Sequence, residues 1–207
     1  MAGCDGIVYD SHNPAVVTAA PDSGKAVVLT FDDGPGKYLT EILDILKQED
    51  VPAMFFWQSR LLYPDRPWKR VLEEGHLIGS HSVRHPDMTR LSYSEQLAEL
   101  QRSSDRLTEV TGIRPVYFRP PFGQFNDSTL HAAASLELRT VMWRIASLDW
   151  ELKNRPDDII KNVTENLEDG AIILLHELAQ TVQALPGLIR EIKRKGYRFV
   201  LLPSPPS

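Results

Sequence analysis

Two adjacent carboxylates, Asp32 and Asp33, stand where the apolar run Ala26-Val27-Val28-Leu29 gives way to Gly34 and Pro35. The run reads as a buried strand and Gly-Pro as the turn that ends it. Like charges side by side repel, and a bound cation is one way to compensate them; a solvated turn is the other reading. His81 and His85 lie four residues apart. In a helical turn that spacing puts both rings on one face, where they can grip one ion. Otherwise they are polar residues flanking the turn before Pro86. Two imidazoles and one carboxylate form a facial set with open positions, suited to a catalytic divalent ion rather than a four-ligand structural zinc.

Other groups of this kind follow further apolar runs. Arg119 precedes Pro120 and Pro121, which fix the backbone and remove two N–H donors, so the next free N–H, on Phe122, can point rigidly at a ligand. His176 closes the run Ile172-Ile173-Leu174-Leu175 and is either a core histidine or a proton-transfer group. Asp149 can pair with Arg119 or with His176. Trp150 is core packing or the wall of a pocket. His12, His76 and His131 are less informative, lying in an extension, at the amino end of a strand and on an alanine-rich helix.

The elements that must position these groups alternate. Strands are predicted over 26–31, 53–57, 77–79, 116–118, 139–145, 171–175 and 197–201. Between them Leu39, Ile42, Leu43 and Leu46 predict a helix over 38–50. A short helix follows Pro67, and Ser92 with Glu95 forms a capping box that opens a long helix ending at Gly112. Asn126 caps the next helix, Pro156 opens another, and the last stops at Gly196. Such alternation predicts parallel strands joined by right-handed crossovers, in an open doubly wound sheet or a barrel. About seven strands are one short of the usual eight-stranded barrel, so a barrel would be distorted. In both architectures ligands bind outside the carboxyl ends of the strands, which is where most of the groups above fall.

The totals fit one globular domain: 207 residues, 42% hydrophobic and 25% charged. A net charge of −5 argues against nucleic acid or an anionic membrane as the main partner. No apolar stretch is long enough to span a bilayer. Cys4 is the single cysteine, so an internal disulfide and a CxxC metal site are excluded. Met1-Ala2-Gly3-Cys4 ends like a lipoprotein cleavage site but lacks the apolar segment that precedes one, so Cys4 is an incidental thiol or the lipidation site of a trimmed chain. Residues 1–24 read as a surface extension with one edge strand near Ala15-Val16-Val17, residues 25–202 as the domain, and 203–207 as a loose tail.

Five separated stretches, taken in order, carry a resemblance: Thr30-Phe31-Asp32-Asp33-Gly34-Pro35, His81-Ser82-Val83-Arg84-His85, Arg119-Pro120-Pro121-Phe122, Ser147-Leu148-Asp149-Trp150 and Leu174-Leu175-His176. Over residues 25–202 the chain resembles the polysaccharide deacetylases with the NodB homology domain, carbohydrate esterase family 4. The resemblance implies an α/β fold, a distorted (β/α) barrel of about seven parallel strands. It implies Asp33, His81 and His85 as ligands of one divalent metal, usually Zn2+ with Co2+ or another divalent ion as alternatives. Asp32 would be the general base, oriented by Arg119, and the Phe122 N–H an oxyanion donor. His176 would be the general acid, with Asp149 supporting its protonated form or pairing with Arg119. Trp150 and Leu174 would line the pocket for the acetyl methyl group. Base and acid would approach from opposite sides, carried by distant strand ends.

The chain departs from the family pattern in two places: Ala146 stands where an acid often begins the fourth stretch, and the pair Trp57-Gln58 is bulkier than expected and would reshape the sugar groove. The implied reaction is metal-dependent removal of acetyl groups from N-acetylglucosamine units of peptidoglycan or a chitin-type polysaccharide. An O-acetyl esterase on xylan, a catalytically silent carbohydrate-binding relative and a phosphoesterase are the alternatives. The expected protein is a monomer that works outside the cell or at its envelope, although the sequence contains no signal peptide.

Overall fold

In the computed structural model residues 6–9, 11, 13–21 and 24–203 are described. Cys4, His12 and nearly all of the tail, whose readings were given above, lie outside them. In chain order the strands are β1 (Val16–Val17), β2 (Ala26–Gly34), β3 (Met54–Trp57), β4 (Leu77–Ser80), β5 (Tyr117–Phe118), β6 (Arg139–Val141), β7 (Ile145–Ala146), β8 (Ile172–His176) and β9 (Arg198–Phe199). The helices are α1 (Leu39–Glu49), α2 (Trp68–Glu73), α3 (Tyr93–Thr111), α4 (Asp127–Ser135), α5 (Pro156–Thr164) and α6 (Ala179–Arg194). The sheet runs β1-β6-β5-β4-β3-β2-β8-β7, with β9 against the start of β2. Every strand-to-strand pairing in it is parallel. This is the distorted α/β barrel expected, and β2 is paired with three strands, β3, β8 and β9.

Alternation along the strands separates two cores. Val27, Leu29 and Phe31 of β2 face outward and pack with Phe55, Trp57, Ile173 and Leu175 against Leu39, Ile42, Leu43 and Leu46 of α1 and Leu185, Leu188, Ile189 and Ile192 of α6. Val28 faces inward with Met54, Phe56, Tyr117, Val141, Ile172 and Leu174. By the same parity Thr30 and Asp32 point into the barrel, as does His176 on β8. The interior is therefore apolar at the amino ends of the strands and polar at their carboxyl ends. Gly79 on β4 leaves room for this core, since a Cβ there would come within 2.7 Å of the Phe56 ring.

Caps behave as the sequence predicts. Ser92 accepts from Glu95 N–H while the Glu95 carboxylate accepts from Ser92 N–H, and Gly112 ends α3 in the left-handed region. Asn126 and Thr129 form the equivalent box on α4.

The strand expected over 139–145 is two strands, broken at Met142-Trp143-Arg144. The break has competing claims behind it. Arg119 takes the carbonyls of Val141 and Met142, while Met142 N–H donates to Val17 and Arg144 N–H to Ile172. The first described residues fill the gap so created. β1 pairs with β6, Val8 bridges Ile145, and Tyr9 N–H and Ala146 N–H make bonds of 2.9 and 2.7 Å to Arg144 and Ile7 carbonyls. Tyr9, Val16 and Ala20 are buried in the interior core, so this part of the extension joins both edges of the sheet.

Candidate active site

Strict alternation would send Asp32 and Asp33 to opposite faces of β2. They meet in one cleft because the pairing of β2 with β3 shifts register between Asp32 and Gly34, and Asp33 takes a left-handed φ of 67°. Such a bulge re-aims a side chain at the cost of local strain. Asp33 Oδ1 then lies 3.3 Å from His85 Nε2 and 3.6 Å from His81 Nε2. The two histidines are not on a helical turn as their spacing suggested. Ser82 (φ 65°) and His85 (φ 60°) are left-handed, and the loop folds back so that the rings sit 4.8 Å apart. The Ser82 hydroxyl accepts from His85 N–H at 2.9 Å, and buried Glu99 on α3 accepts from both Val83 and Arg84 N–H at 3.0 Å.

Strain is concentrated here. Of the described non-glycine residues with positive φ, Asp33, Ser82, His85, Phe122 and Leu148 all belong to loops that carry the site; Asp50 and Glu137 are elsewhere. Each costs roughly 1–2 kcal/mol for a non-glycine residue. Their clustering means the surrounding structure over-determines the loops.

The donor set fits a divalent ion. Asp33, His81 and His85 each offer a ligand atom, all within 4.8 Å of one another. His81 Nδ1 is 2.7 Å from the Arg119 carbonyl, which can only accept, so Nδ1 carries a proton and Nε2 is the nitrogen turned to Asp33. Burial holds the His85 ring below its usual pKa, favouring the neutral form that ligates. Burial alone would raise the Asp33 carboxyl, but His81, His176 and His85, with a hydrogen bond from Gln58, hold it below the ordinary carboxylate range.

Two buried charge pairs flank these donors. Arg119 is fully buried; its guanidinium donates to Asp32 Oδ1 at 2.7 Å and to Thr30 Oγ1 at 2.8 Å, and stacks 4.2 Å over Phe56. Asp32 Oδ2 is left facing His81 Nε2 at 3.8 Å. Asp149, whose partner the sequence leaves open, pairs with His176 and not with Arg119. His176 Nε2 faces Asp33 Oδ2 at 3.9 Å. Asp32 and His176 are neighbours on paired strands, in direct register, rather than on distant strand ends. Their separation comes from side-chain direction: one leans to Arg119, the other to Asp149.

A cleft of about 580 Å³ lies over these groups, walled by Phe122, Trp143, Trp150 and Leu174. Trp150 is a wall and not core: it is half-exposed, with its ring edge-on to His176. Phe122 is exposed and edge-on to His85, with φ 58°. The turn that holds it is closed by Gly123 and Gln124, which donate to the Pro120 and Pro121 carbonyls, and the Phe122 N–H is outside those bonds.

Trp57 and Gln58 do not shape the cleft. Trp57 is buried on the outer face, where its indole donates to Glu177 Oε1 at 2.9 Å, and Gln58 donates to Asp33. Glu177, which sequence reading passes over, also accepts from Gly36 N–H. Burial pushes its carboxyl up to about 7 despite those bonds. His76 is structural: its Nδ1 accepts from Ala53 N–H at 3.1 Å. His131 is exposed on α4.

Known proteins resemble the chain in sequence and in fold. A family model described as polysaccharide deacetylase matches residues 19–141. The chain is 34% identical over 198 residues to the peptidoglycan-N-acetylglucosamine deacetylase of Bacillus cereus, covering 92% of this chain and 71% of that protein. A solved peptidoglycan N-acetylglucosamine deacetylase in complex with an aryl N-hydroxybenzamide superposes with a TM-score of 0.84 at 33% identity, over 90% of each chain. A carbohydrate esterase family 4 pseudoenzyme from Bacillus anthracis superposes equally well, at 32% identity over 90% of this chain and 67% of that one. The chain spans between 38% and 71% of the length of the curated relatives it matches.

Proposed function

The chain belongs to the polysaccharide deacetylase family, a family of hydrolases, and we propose that it removes the acetyl group from N-acetylglucosamine units of a peptidoglycan- or chitin-type polysaccharide. Residues 25–202 are the catalytic domain in this reading, and the polymer places its work outside the cell or at the envelope. The observation that carries the reading is the convergence, in one cleft, of an ion-binding trio with a buried base pair and a buried acid pair. That complete set argues for turnover and against a silent relative, although the fold is shared with a pseudoenzyme.

Asp33, His81 and His85 would hold the ion, and two imidazoles with one carboxylate suit zinc. Bound there, a divalent ion supplies Lewis acidity, polarising an acetyl carbonyl and acidifying water at neutral pH. Asp32 takes the proton from water through Oδ2, because Oδ1 is held by Arg119. A positioned base of this kind contributes about 10²–10⁴ in rate. The Phe122 N–H donates to the developing oxyanion, a contribution of about 3–4 kcal/mol for one such donor. His176, kept as imidazolium by Asp149, gives its Nε2 proton to the departing amine nitrogen. Trp150 and Leu174 enclose the acetyl methyl group.

The test is acetate release from N-acetylated chito-oligosaccharides and peptidoglycan, with acetylxylan alongside, before and after EDTA. Release from the N-acetyl substrates, abolished by EDTA and restored by Zn2+, is expected. No release from any of them by metal-loaded protein overturns the reading, and release from acetylxylan alone moves it to an O-acetyl esterase.

A further inference from the structure

Gln58 follows β3 at the parity that faces the barrel interior, after inward Met54 and Phe56. Its side chain lies between two charged groups. Nε2 donates to Asp33 Oδ1 at 2.8 Å, and Oε1 accepts from Arg60 Nε at 3.1 Å. A guanidinium can only donate, so Arg60 fixes which end of the amide faces it and leaves the NH2 group for Asp33. The Gln58 backbone N–H also donates to the Gly34 carbonyl at 2.9 Å, holding the far side of the bulge. The oxygen that Gln58 touches is the one nearest both imidazoles.

We propose that Gln58 is a positioning residue for the ion site, fixing the Asp33 carboxylate with Oδ1 towards the two imidazoles and Oδ2 towards His176. This rests on the reading that Asp33, His81 and His85 bind a divalent ion. Asp33 needs such a partner. It sits on a bulge, its side chain is 42% exposed, and no regular strand neighbour restrains its torsions. A carboxylate oxygen has two acceptor positions, so one bond to Gln58 leaves the other for an ion. A neutral amide does this without adding charge to the cluster, which a glutamate or lysine at 58 would do. Outer-shell bonds to a ligating group are worth about 10–100-fold in metal affinity.

The experiment measures Zn2+ affinity of EDTA-stripped protein by competition with a chromophoric chelator, and the visible spectrum of the Co2+ form, for wild type, Gln58→Met, Arg60→Met and Asp33→Ala. Methionine keeps the length of glutamine and removes donor and acceptor. Gln58→Met is expected to weaken Zn2+ binding about 10–100-fold and to alter the Co2+ bands. Arg60→Met is expected to weaken binding less, in the same direction, and it decides the matter if Gln58→Met does not fold. Wild-type affinity in the folded Gln58→Met protein, with affinity lost in Asp33→Ala, overturns the proposal alone. Wild-type affinity in Asp33→Ala overturns the ion-site reading instead.

Discussion

The Asp149 carboxylate engages His176 twice, accepting the ring Nδ1–H at 2.8 Å through Oδ1 and the backbone N–H of the same residue at 2.7 Å through Oδ2. Thr181 donates to Oδ2 as well, at 2.6 Å. The imidazole is thereby locked in rotation and in tautomer, with Nε2 turned to the cleft.

Burial would push the His176 ring down, but Asp149, with lesser help from Asp32 and Asp33, raises it to about 9. A histidine raised above its unfolded value of 6.5 contributes stability that is full below pH 6.5 and lost as pH rises through about 9. Urea unfolding of EDTA-treated protein should show this loss between those limits, and Asp149→Asn should flatten it. An unchanged slope in Asp149→Asn would remove Asp149 as the cause.

Arg119 and Asp32 form a buried ion pair. Removing one partner of such a pair costs about 3–5 kcal/mol, because the other is left buried and uncompensated. Arg119→Met should therefore lower the urea midpoint sharply. The double variant Arg119→Met with Asp32→Asn should recover part of the loss, and strictly additive effects would contradict the pairing.

The neighbouring aspartates should separate by assay. Asp33→Ala should lose Zn2+ affinity, read by chelator competition, and with it turnover. Asp32→Asn should keep Zn2+ affinity and lose at least 10²-fold in kcat, as expected for a general base. Equal loss of metal in both variants would contradict separate roles.

Gly34 is required by space rather than by torsion. A Cβ there would fall 1.8 Å from Glu177 Oε1 and 2.7 Å from Trp57 Nε1. Gly34→Ala should destabilise by about 1–3 kcal/mol, the range for overpacking. Adding Glu177→Ala should relieve part of it, the Trp57 contact remaining, and a thermal-melt double-mutant cycle reads the coupling. Absence of coupling would mean that Glu177 already moves aside at no cost.

The strands and most of the site were legible because apolar runs end on polar groups at one end of a parallel sheet. The break at 142–144 was not, since Met142-Trp143 continues the apolar run, and its cause, Arg119 claiming two carbonyls, is a tertiary one. The proximity of Asp33 to the histidines could be guessed from residue type, but alternation points it the wrong way; the bulge is invisible to periodicity. Glu99 and Glu177 carry no signal of their own, and Gln58 stands out only for its bulk, not for its bond to Asp33. Each is a polar residue common on surfaces, and only its burial against a loop N–H or a carboxylate shows its role. Glu177 follows His176 directly, which is the one cue that could have drawn attention to it.

The pairing of β2 with β8 has a kinetic consequence. Asp32 meets Arg119 across 87 residues of chain, and Gly36 meets Glu177 across 141. Loop closures of that length precede any reward from the contacts they make, so parallel topologies of this kind fold slowly. No fragment ending before β8 can assemble the cleft. The ion donors Asp33, His81 and His85 all precede β5, so ion uptake by a refolding chain can come before β8 docks, whereas proton transfer waits for His176 at the end of β8.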